Sequence, residues 1–221
     1  MYFDAVKIGC YISLMTTKST TKGGYHHGDL KAVLLDETAR ILKEEGEAAL
    51  SLRNLAARVG VSRTAPYHHF KDKQSLLSAV GEEGFVRFNR AMLDSARKHK
   101  GVSPQEGLRA WVRAYVGFAV ANAQYYDLMY GGRLWHSEAL SKSLLGSARG
   151  TLRGNVERIR SAQEKGLYNR DIDPVGFSHV AWGTLHGMSR LFIDGVYTNN
   201  ASRNRICDTA TDMLWAQLAP R

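Results

Sequence analysis

Apolar residues recur at spacings of three and four along most of the chain, a pattern that predicts helices. The first helix is expected to begin at Asp29, whose carboxylate can cap it, and to end near Gly46, which suits a left-handed C-terminal cap. Runs of β-branched residues are few, and the sequence holds only four prolines. The pattern therefore predicts an all-α fold of about nine helices.

Two short helices are predicted next, separated by a tight turn. Ser51 can cap the first of them, and Gly60 can adopt the positive φ of the turn. The buried face of the first helix is formed by Leu52, Leu55, Ala56 and Val59. Ser62 can cap the second helix, which runs from Arg63 to Phe70. This arrangement is typical of a helix-turn-helix DNA-binding unit, although a plain helical corner shows the same pattern.

Longer helices are predicted over the rest of the chain. Lys73 begins one that runs to about Lys98, and Ser103 can cap the next, with Pro104 at its first position and its end near Asn122. The remaining elements are a short one around Tyr125–Tyr130, a long helix from Ser137 to Gly166, one from Asp171 to Gly195 and a last one from about Ser202 to Leu218.

The chain is basic, with a formal net charge of +9 and an isoelectric point of about 9.6. Such a balance fits a polyanionic partner such as nucleic acid, or an anionic membrane surface. One basic cluster, residues 51–73, lies in the predicted helix-turn-helix, and a polar stretch before it, residues 16–24, is interpreted as a flexible arm. A second basic cluster, residues 142–165, is interpreted as the solvated face of a helix.

The composition excludes several classes of protein. Cys10 and Cys207 are too few and too distant for a disulfide framework or a thiolate metal site, which favours a reducing cytoplasm. No apolar run is long enough to span a membrane. Residues 1–14 lack the cleavage site of a signal peptide, and Met15 is an alternative start of translation.

Three segments together resemble one known family. Residues 25–30 (YHHGDL), 52–56 (LRNLA) and 59–73 (VGVSRTAPYHHFKDK) are closely similar to the DNA-binding domain of the TetR, or tetracycline-repressor-like, family. The Gly-Val-Ser turn, the Tyr-x-x-Phe ending and the lysine that opens the next helix are specific in combination. Residues 182–187 (WGTLHG) resemble, more weakly, the Trp…His-Gly motif of one C-terminal subgroup.

The resemblance implies a flexible arm (1–24), a three-helix DNA-binding domain (25–72) and a larger helical domain for ligand sensing and dimerisation (73–221). It implies a transcriptional regulator and not an enzyme, in most cases a repressor released by a ligand. The expected partners are double-stranded operator DNA, a small-molecule effector and a second copy of the chain. The expected dimerisation residues are Met188, Phe192, Met213, Leu214 and Trp215.

The recognition helix of such a domain enters the major groove, and its first turns face base edges. Arg63 has donors for guanine or a phosphate, and Lys73, at a helix N-terminus, can reach a phosphate. The expected DNA-binding residues are Ser51, Arg53, Ser62, Arg63, Thr64, Tyr67, His68 and Lys73. Pro66 lacks an N–H, so we expect this helix to be short and its start to be irregular.

The C-terminal part is rich in aromatic residues, which as a group could line an apolar ligand pocket with a few polar tips. The expected ligand-binding residues are Trp111, Tyr115, Phe118, Asn122, Tyr126, Met129, Trp135, Trp182 and His186. Packing in the core is the alternative for each of them. The helix from Lys73 would act as the lever between ligand and DNA, and we hypothesise that Gly81 and Gly84 permit it to bend.

Two other functions compete with a regulator. An enzyme would need a catalytic motif, and the sequence holds no Gly-rich phosphate loop, nucleophile elbow or zinc-protease motif. His68 and His69 point about 100° apart on a helix, and His26 and His27 lack clustered carboxylates, so no metal or cofactor is expected. A basic adaptor for proteins or membranes would bind DNA weakly, without sequence preference and with steep salt dependence.

Overall fold

Helices make up the secondary structure of the residues that the structure describes. The computed structural model describes residues 30–131, Trp135 and residues 140–221, apart from the side chains of residues 200 and 201. The α-helices are α1 (Leu30–Glu44), α2 (Leu52–Val59), α3 (Lys73–Lys98), α4 (Pro104–Ala121), α5 (Ala123–Tyr130), α6 (Lys142–Glu164), α7 (Pro174–Ile193) and α8 (Asn200–Leu218). Two 3₁₀-helices span Glu47–Ala49 and Ala65–His68. No strand occurs among the described residues, and the predicted all-α class is confirmed.

Local capping chemistry fixes several helix ends at the predicted residues. The Ser51 hydroxyl accepts a hydrogen bond from the backbone N–H of Asn54 at 3.1 Å, and Gly60 ends α2 with a φ of 75°. Ser103 caps α4 in the same way, through the N–H of Glu106 at 3.2 Å. These caps satisfy N–H groups that the first turn of a helix leaves without partners.

The start of α6 differs from the prediction. The helix begins at Lys142 and not at Ser137, because Leu140 and Ser141 are not helical and Ser141 caps it. The Ser141 hydroxyl accepts a hydrogen bond from the N–H of Leu144 at 2.9 Å. The predicted cap at Asp29 lies outside the described residues.

The main hydrophobic core lies among α3 to α8. Its largest fully buried side chains are Phe85, Phe88, Tyr115, Tyr126, Met129, Leu144, Leu185 and Leu218. A second set of buried side chains comes from α1, α2, the loop after the second 3₁₀-helix and the start of α3, and includes Leu34, Ile41, Leu55, Phe70 and Leu76. Because α3 contributes to both sets, it joins the N-terminal helices to the rest. No helix among the described residues is both long and apolar enough to cross a membrane.

Gly81 and Gly84 of α3 are places of close packing. A Cβ atom at Gly84 would lie 2.8 Å from Cγ of Met129, and one at Gly81 would lie 3.1 Å from the carbonyl oxygen of Leu128. Both neighbours belong to α5, so the two glycines let α5 approach α3 closely. Close packing thus competes with the hypothesis that these glycines serve bending.

Candidate DNA-binding surface and ligand site

The second short helix is built around a proline. Pro66 lies in the first turn of the 3₁₀-helix Ala65–His68 and is buried, and its missing N–H costs no helical bond there. Just before it, the hydroxyl groups of Ser62 and Thr64 lie 3.2 Å apart. The recognition helix, predicted over residues 63–70, is therefore a 3₁₀-helix of four residues, Ala65–His68, and the expectation that Pro66 makes it short is confirmed.

Seven of the eight predicted DNA-binding residues are exposed on this part of the molecule, which we call the reading surface. They are Ser51, Arg53, Ser62, Arg63, Thr64, Tyr67 and His68. The Tyr67 side chain stands out, because this residue exposes 55% of its surface although it carries a large aromatic ring. The reading surface therefore presents two guanidinium groups, several hydroxyl groups, a phenol and an imidazole to an approaching molecule.

Lys73, the eighth predicted residue, makes an intramolecular contact. Its ammonium donates a hydrogen bond to the backbone carbonyl of Glu47 at 2.6 Å and lies 3.7 Å from the carboxylate of the same residue. The lysine side chain is about one third exposed. A DNA phosphate would have to share this ammonium with Glu47 or displace it.

A polar network runs through the core of the C-terminal helices. The hydroxyl oxygens of Tyr115 and Tyr126 lie 3.0 Å apart, and that of Tyr126 lies 2.8 Å from Nδ1 of His186. The Tyr126 and His186 rings stack with centroids 5.4 Å apart. We call these three residues the tyrosine–histidine network. Tyr130 packs edge-on against His186 at 5.2 Å and lies 5.6 Å from Trp182.

The tyrosine–histidine network is uncharged at neutral pH. Burial raises the pKa of Tyr115, and it raises the pKa of Tyr126 to about 12. Burial, together with the nearby positive charge of Arg190, lowers the pKa of His186. Neutral phenols and a neutral imidazole can share hydrogen bonds in the core without the desolvation cost of a buried charge.

The structure brings together only some of the predicted ligand-binding residues. Trp182 and His186 join Tyr126 as described, and the Trp111 ring lies 6.0 Å from that of Tyr115. Met129 is fully buried, and its carbonyl accepts a hydrogen bond from Nε1 of Trp135 at 2.8 Å.

Nε1 of Trp111 is buried without a hydrogen-bond partner among the described residues. A buried donor left unpaired in this way costs about 1–3 kcal/mol. A ligand with an acceptor atom at this position would recover that cost.

Asn122 ends α4, and Phe118, one turn before it, packs against Phe88, whose ring in turn contacts that of Tyr115. The Asn122 amide donates to the carbonyl of Phe118 at 2.9 Å. Both residues line an open groove of about 750 Å³ between α3 and α4, which also carries Lys98, His99 and Arg113. Asn122 thus lines this groove, and its expected role in orienting a ligand stays a prediction.

Tyr130 was missed as a site residue from the sequence. It contacts Tyr126, Trp182 and His186 and is thus central to the aromatic cluster. The signal was available, since Tyr130 follows Tyr126 by four residues and so lies on the same helix face.

Two family models match the chain. Residues 34–80 match the model described as bacterial regulatory proteins, tetR family, and residues 108–214 match the tetracyclin repressor-like C-terminal domain. The chain belongs to the TetR family. The resemblance to the TetR family is confirmed, and that of residues 182–187 to one C-terminal subgroup stays a prediction. In this TetR-family chain, the N-terminal match includes all eight predicted DNA-binding residues, and the C-terminal match includes all nine predicted ligand-binding residues.

Individual proteins are similar to this TetR-family chain to different extents. A protein of unknown function from Rhodococcus sp. RHA1 is 32% identical, with a TM-score of 0.77 over 90% of this chain and all of that one. The uncharacterized HTH-type transcriptional regulator YobS of Bacillus subtilis is 29% identical over 100 residues, which are 45% of this chain and 51% of YobS. The chain thus aligns with about half the length of that curated relative.

A solved structure shares the fold at lower identity. AibR, crystallised in complex with isovaleryl coenzyme A and operator DNA, is 19% identical, with a TM-score of 0.59 over 86% of this chain and 99% of that one. The likeness shows that the two proteins have the same fold.

Proposed function

We propose that this protein is a sequence-specific DNA-binding transcriptional repressor whose affinity for its operator is lowered by a small molecule bound in the C-terminal helical domain. The observation that carries the proposal is the exposed reading surface in a chain of the TetR family. In this proposal residues 25–72 are the DNA-binding domain and residues 73–221 sense the ligand and dimerise. The predicted arm, residues 1–24, lies outside the described residues.

Some residues of the reading surface contact bases, and others contact the DNA backbone. Arg63 can donate two hydrogen bonds to O6 and N7 of guanine, and the Thr64 methyl group can contact a thymine methyl. Tyr67 and His68 supply further base or phosphate contacts from the 3₁₀-helix, and Ser62 lies beside Thr64 with a second hydroxyl. Ser51, Arg53 and Lys73 contact the DNA backbone and so set the register without reading sequence.

A second copy of the chain docks on α7 and α8. Val180 of α7 is 67% exposed and Met213 of α8 is 69% exposed, so each of these helices presents an uncovered apolar side chain. Beside Val180, a Cβ atom at Gly183 would meet no atom within 4 Å, so this face can be approached closely. Met188, Phe192 and Trp215 are partly buried and lie next to the core.

Leu214 is not part of this docking face. It is 7% exposed and belongs to the core of its own protomer, so in this proposal the face is formed by the other four predicted residues.

The ligand site is formed around the tyrosine–histidine network. Because this network is neutral and buried, it favours an uncharged group with a hydrogen-bonding atom, and burial would penalise a carboxylate. Trp111 offers an unpaired donor nearby. Isovaleryl coenzyme A, which is in the AibR complex, contains an uncharged acyl thioester, and acyl thioesters are therefore the first ligand class to examine here.

Competition binding tests the proposal. The full-length protein is incubated at about 150 mM salt with DNA from the region upstream of its own gene and with unrelated competitor DNA. We expect a preference of roughly 10³ or more for one two-fold-symmetric site. Uniform weak binding that disappears as salt is raised would contradict the proposal for that region.

A matched pair of variants assigns the binding to the reading surface. Arg63→Ala should weaken operator binding by about 1–3 kcal/mol, which is roughly 5- to 150-fold. Arg153→Ala removes an exposed guanidinium from α6 and should leave operator binding within about twofold. Equal losses in both variants would contradict the assignment.

A further inference from the structure

Helix α5 contacts two different neighbours through consecutive side chains. The Tyr125 hydroxyl donates a hydrogen bond to Oδ1 of Asp36 in α1 at 3.1 Å. The next residue, Tyr126, lies 2.8 Å from Nδ1 of His186 in α7. Consecutive residues on an α-helix point about 100° apart, so one short helix faces both neighbours at once.

The α7 side of α5 is fastened at a second point. Asp127 accepts a hydrogen bond from the guanidinium of Arg190, one turn beyond His186 in α7. Two consecutive residues of α5 therefore bind to α7, and a shift of α7 at the tyrosine–histidine network would pull on α5 as a unit.

The α1 side is held by a compact polar cluster. Arg87 of α3 hydrogen-bonds to Asp36 and, at 2.8 Å, to Glu83, and its guanidinium lies 4.7 Å from the centroid of the Tyr125 ring. Tyr125 is only 2% exposed. Burial raises the pKa of Tyr125, so its hydroxyl keeps the proton that it donates to Asp36.

Helix α1 is in turn tied to the reading surface. The carboxylates of Glu37 and Glu45, which flank the second half of α1, both pair with Arg58 of α2. Helix α2 carries Arg53 of the reading surface, and Ser51 caps it. A displacement of α1 therefore moves side chains that face the DNA.

We propose that Tyr125 and Asp36 are positioning residues that couple the tyrosine–histidine network to the reading surface, with α5 as the rigid link. The proposal rests on the proposed function, because it names how the ligand site regulates DNA binding. It differs from control through bending of α3, since Tyr125→Phe leaves every residue of α3 in place.

A double-mutant cycle tests the coupling without an identified effector. Tyr126→Phe removes one hydroxyl at the centre of the network and serves as the perturbation. Operator affinity is measured for the wild type, Tyr126→Phe, Tyr125→Phe and the double variant. We expect Tyr126→Phe alone to change operator affinity by about fivefold or more relative to the wild type. Added to Tyr125→Phe, the same substitution should change the affinity by less than about twofold. No effect of Tyr126→Phe, or equal effects in both backgrounds, would overturn the proposal.

Hydrogen exchange of the α1 amides gives a second readout that needs no DNA. Tyr126→Phe should change exchange rates in α1 by about fivefold or more only where Tyr125 is intact. Exchange in α1 that is the same in the wild type and in Tyr126→Phe would overturn the coupling even if no operator is found. If Tyr126→Phe changes exchange in α1 as expected but the wild-type protein shows no preference for an operator, the result would instead count against the proposed function.

Control variants separate coupling from loss of structure. Asp36→Ala removes the acceptor of the Tyr125 hydrogen bond at an exposed position of α1 and should reproduce the effect of Tyr125→Phe on the cycle. Asp94→Asn breaks an ion pair with Arg97 at the far end of α3 and should leave the cycle unchanged. The melting temperatures of all variants are also measured. Changes in operator affinity that run parallel to changes in melting temperature would count against coupling.

Discussion

Replacing Gly84 by alanine sets two opposing effects on stability against each other. Alanine is better than glycine inside a helix by about 0.8–1.0 kcal/mol. The new methyl group, however, would lie 2.8 Å from Cγ and 2.9 Å from Sδ of Met129. Carbon atoms normally pack roughly 3.5–4.0 Å apart. Met129 is fully buried, and overpacking of this kind costs about 1–3 kcal/mol. The net expectation for Gly84→Ala is a loss of about 0–2 kcal/mol in the free energy of unfolding.

Gly150→Ala is the matched control. Gly150 lies in α6, and a Cβ atom there would meet nothing within 4 Å, so only the helix term remains and we expect a gain of up to about 1 kcal/mol. Urea-induced unfolding of both full-length variants measures the difference, which isolates the packing of α5 on α3. Equal stabilisation by the two substitutions would refute the reasoning, because it would mean that Met129 moves aside at no cost.

Three further outcomes follow from the structure. Ser103→Ala removes the cap of α4 and should lower the free energy of unfolding by about 1 kcal/mol in urea; an unchanged midpoint would count against the cap. His186 has a pKa lowered by folding, so the unfolded chain binds more protons as pH falls below about 6.5, and stability should decline there. His186→Asn should make this decline in melting temperature shallower, and an unaltered pH profile would contradict the assignment. Val180→Asp places a charge on the docking face and should shift the sedimentation of the protein towards the monomer, whereas Val86→Asp, at another exposed valine, should not; a stable dimer in both would place the interface elsewhere.

The parts of the fold that the sequence predicted are those fixed by local chemistry. A serine before an apolar run and a glycine after it define α2 through contacts within four residues, and Ser51 and Gly60 act as predicted. The short recognition helix was likewise predicted, because Pro66 lacks an N–H group. Ser141 was overlooked as a cap, and so α6 was predicted to begin too early.

The parts that the sequence did not predict depend on contacts between distant segments. Asp36 and Tyr125 are 89 positions apart and meet only once α5 packs against α3. Lys73 was assigned to a phosphate from its place at a helix N-terminus, but its contact with Glu47 requires the path of the chain before α2. Helical spacing shows which face a residue occupies, yet not which neighbour that face meets.

Selection of genomic fragments by the purified full-length protein tests the central claim most directly. Sheared DNA from the source genome is bound at about 150 mM salt, and the retained fragments are sequenced for the wild type and for Arg63→Ala. The account predicts one two-fold-symmetric sequence strongly enriched by the wild type and lost in Arg63→Ala. Retained fragments without a shared sequence, or the same enrichment in both proteins, would contradict it.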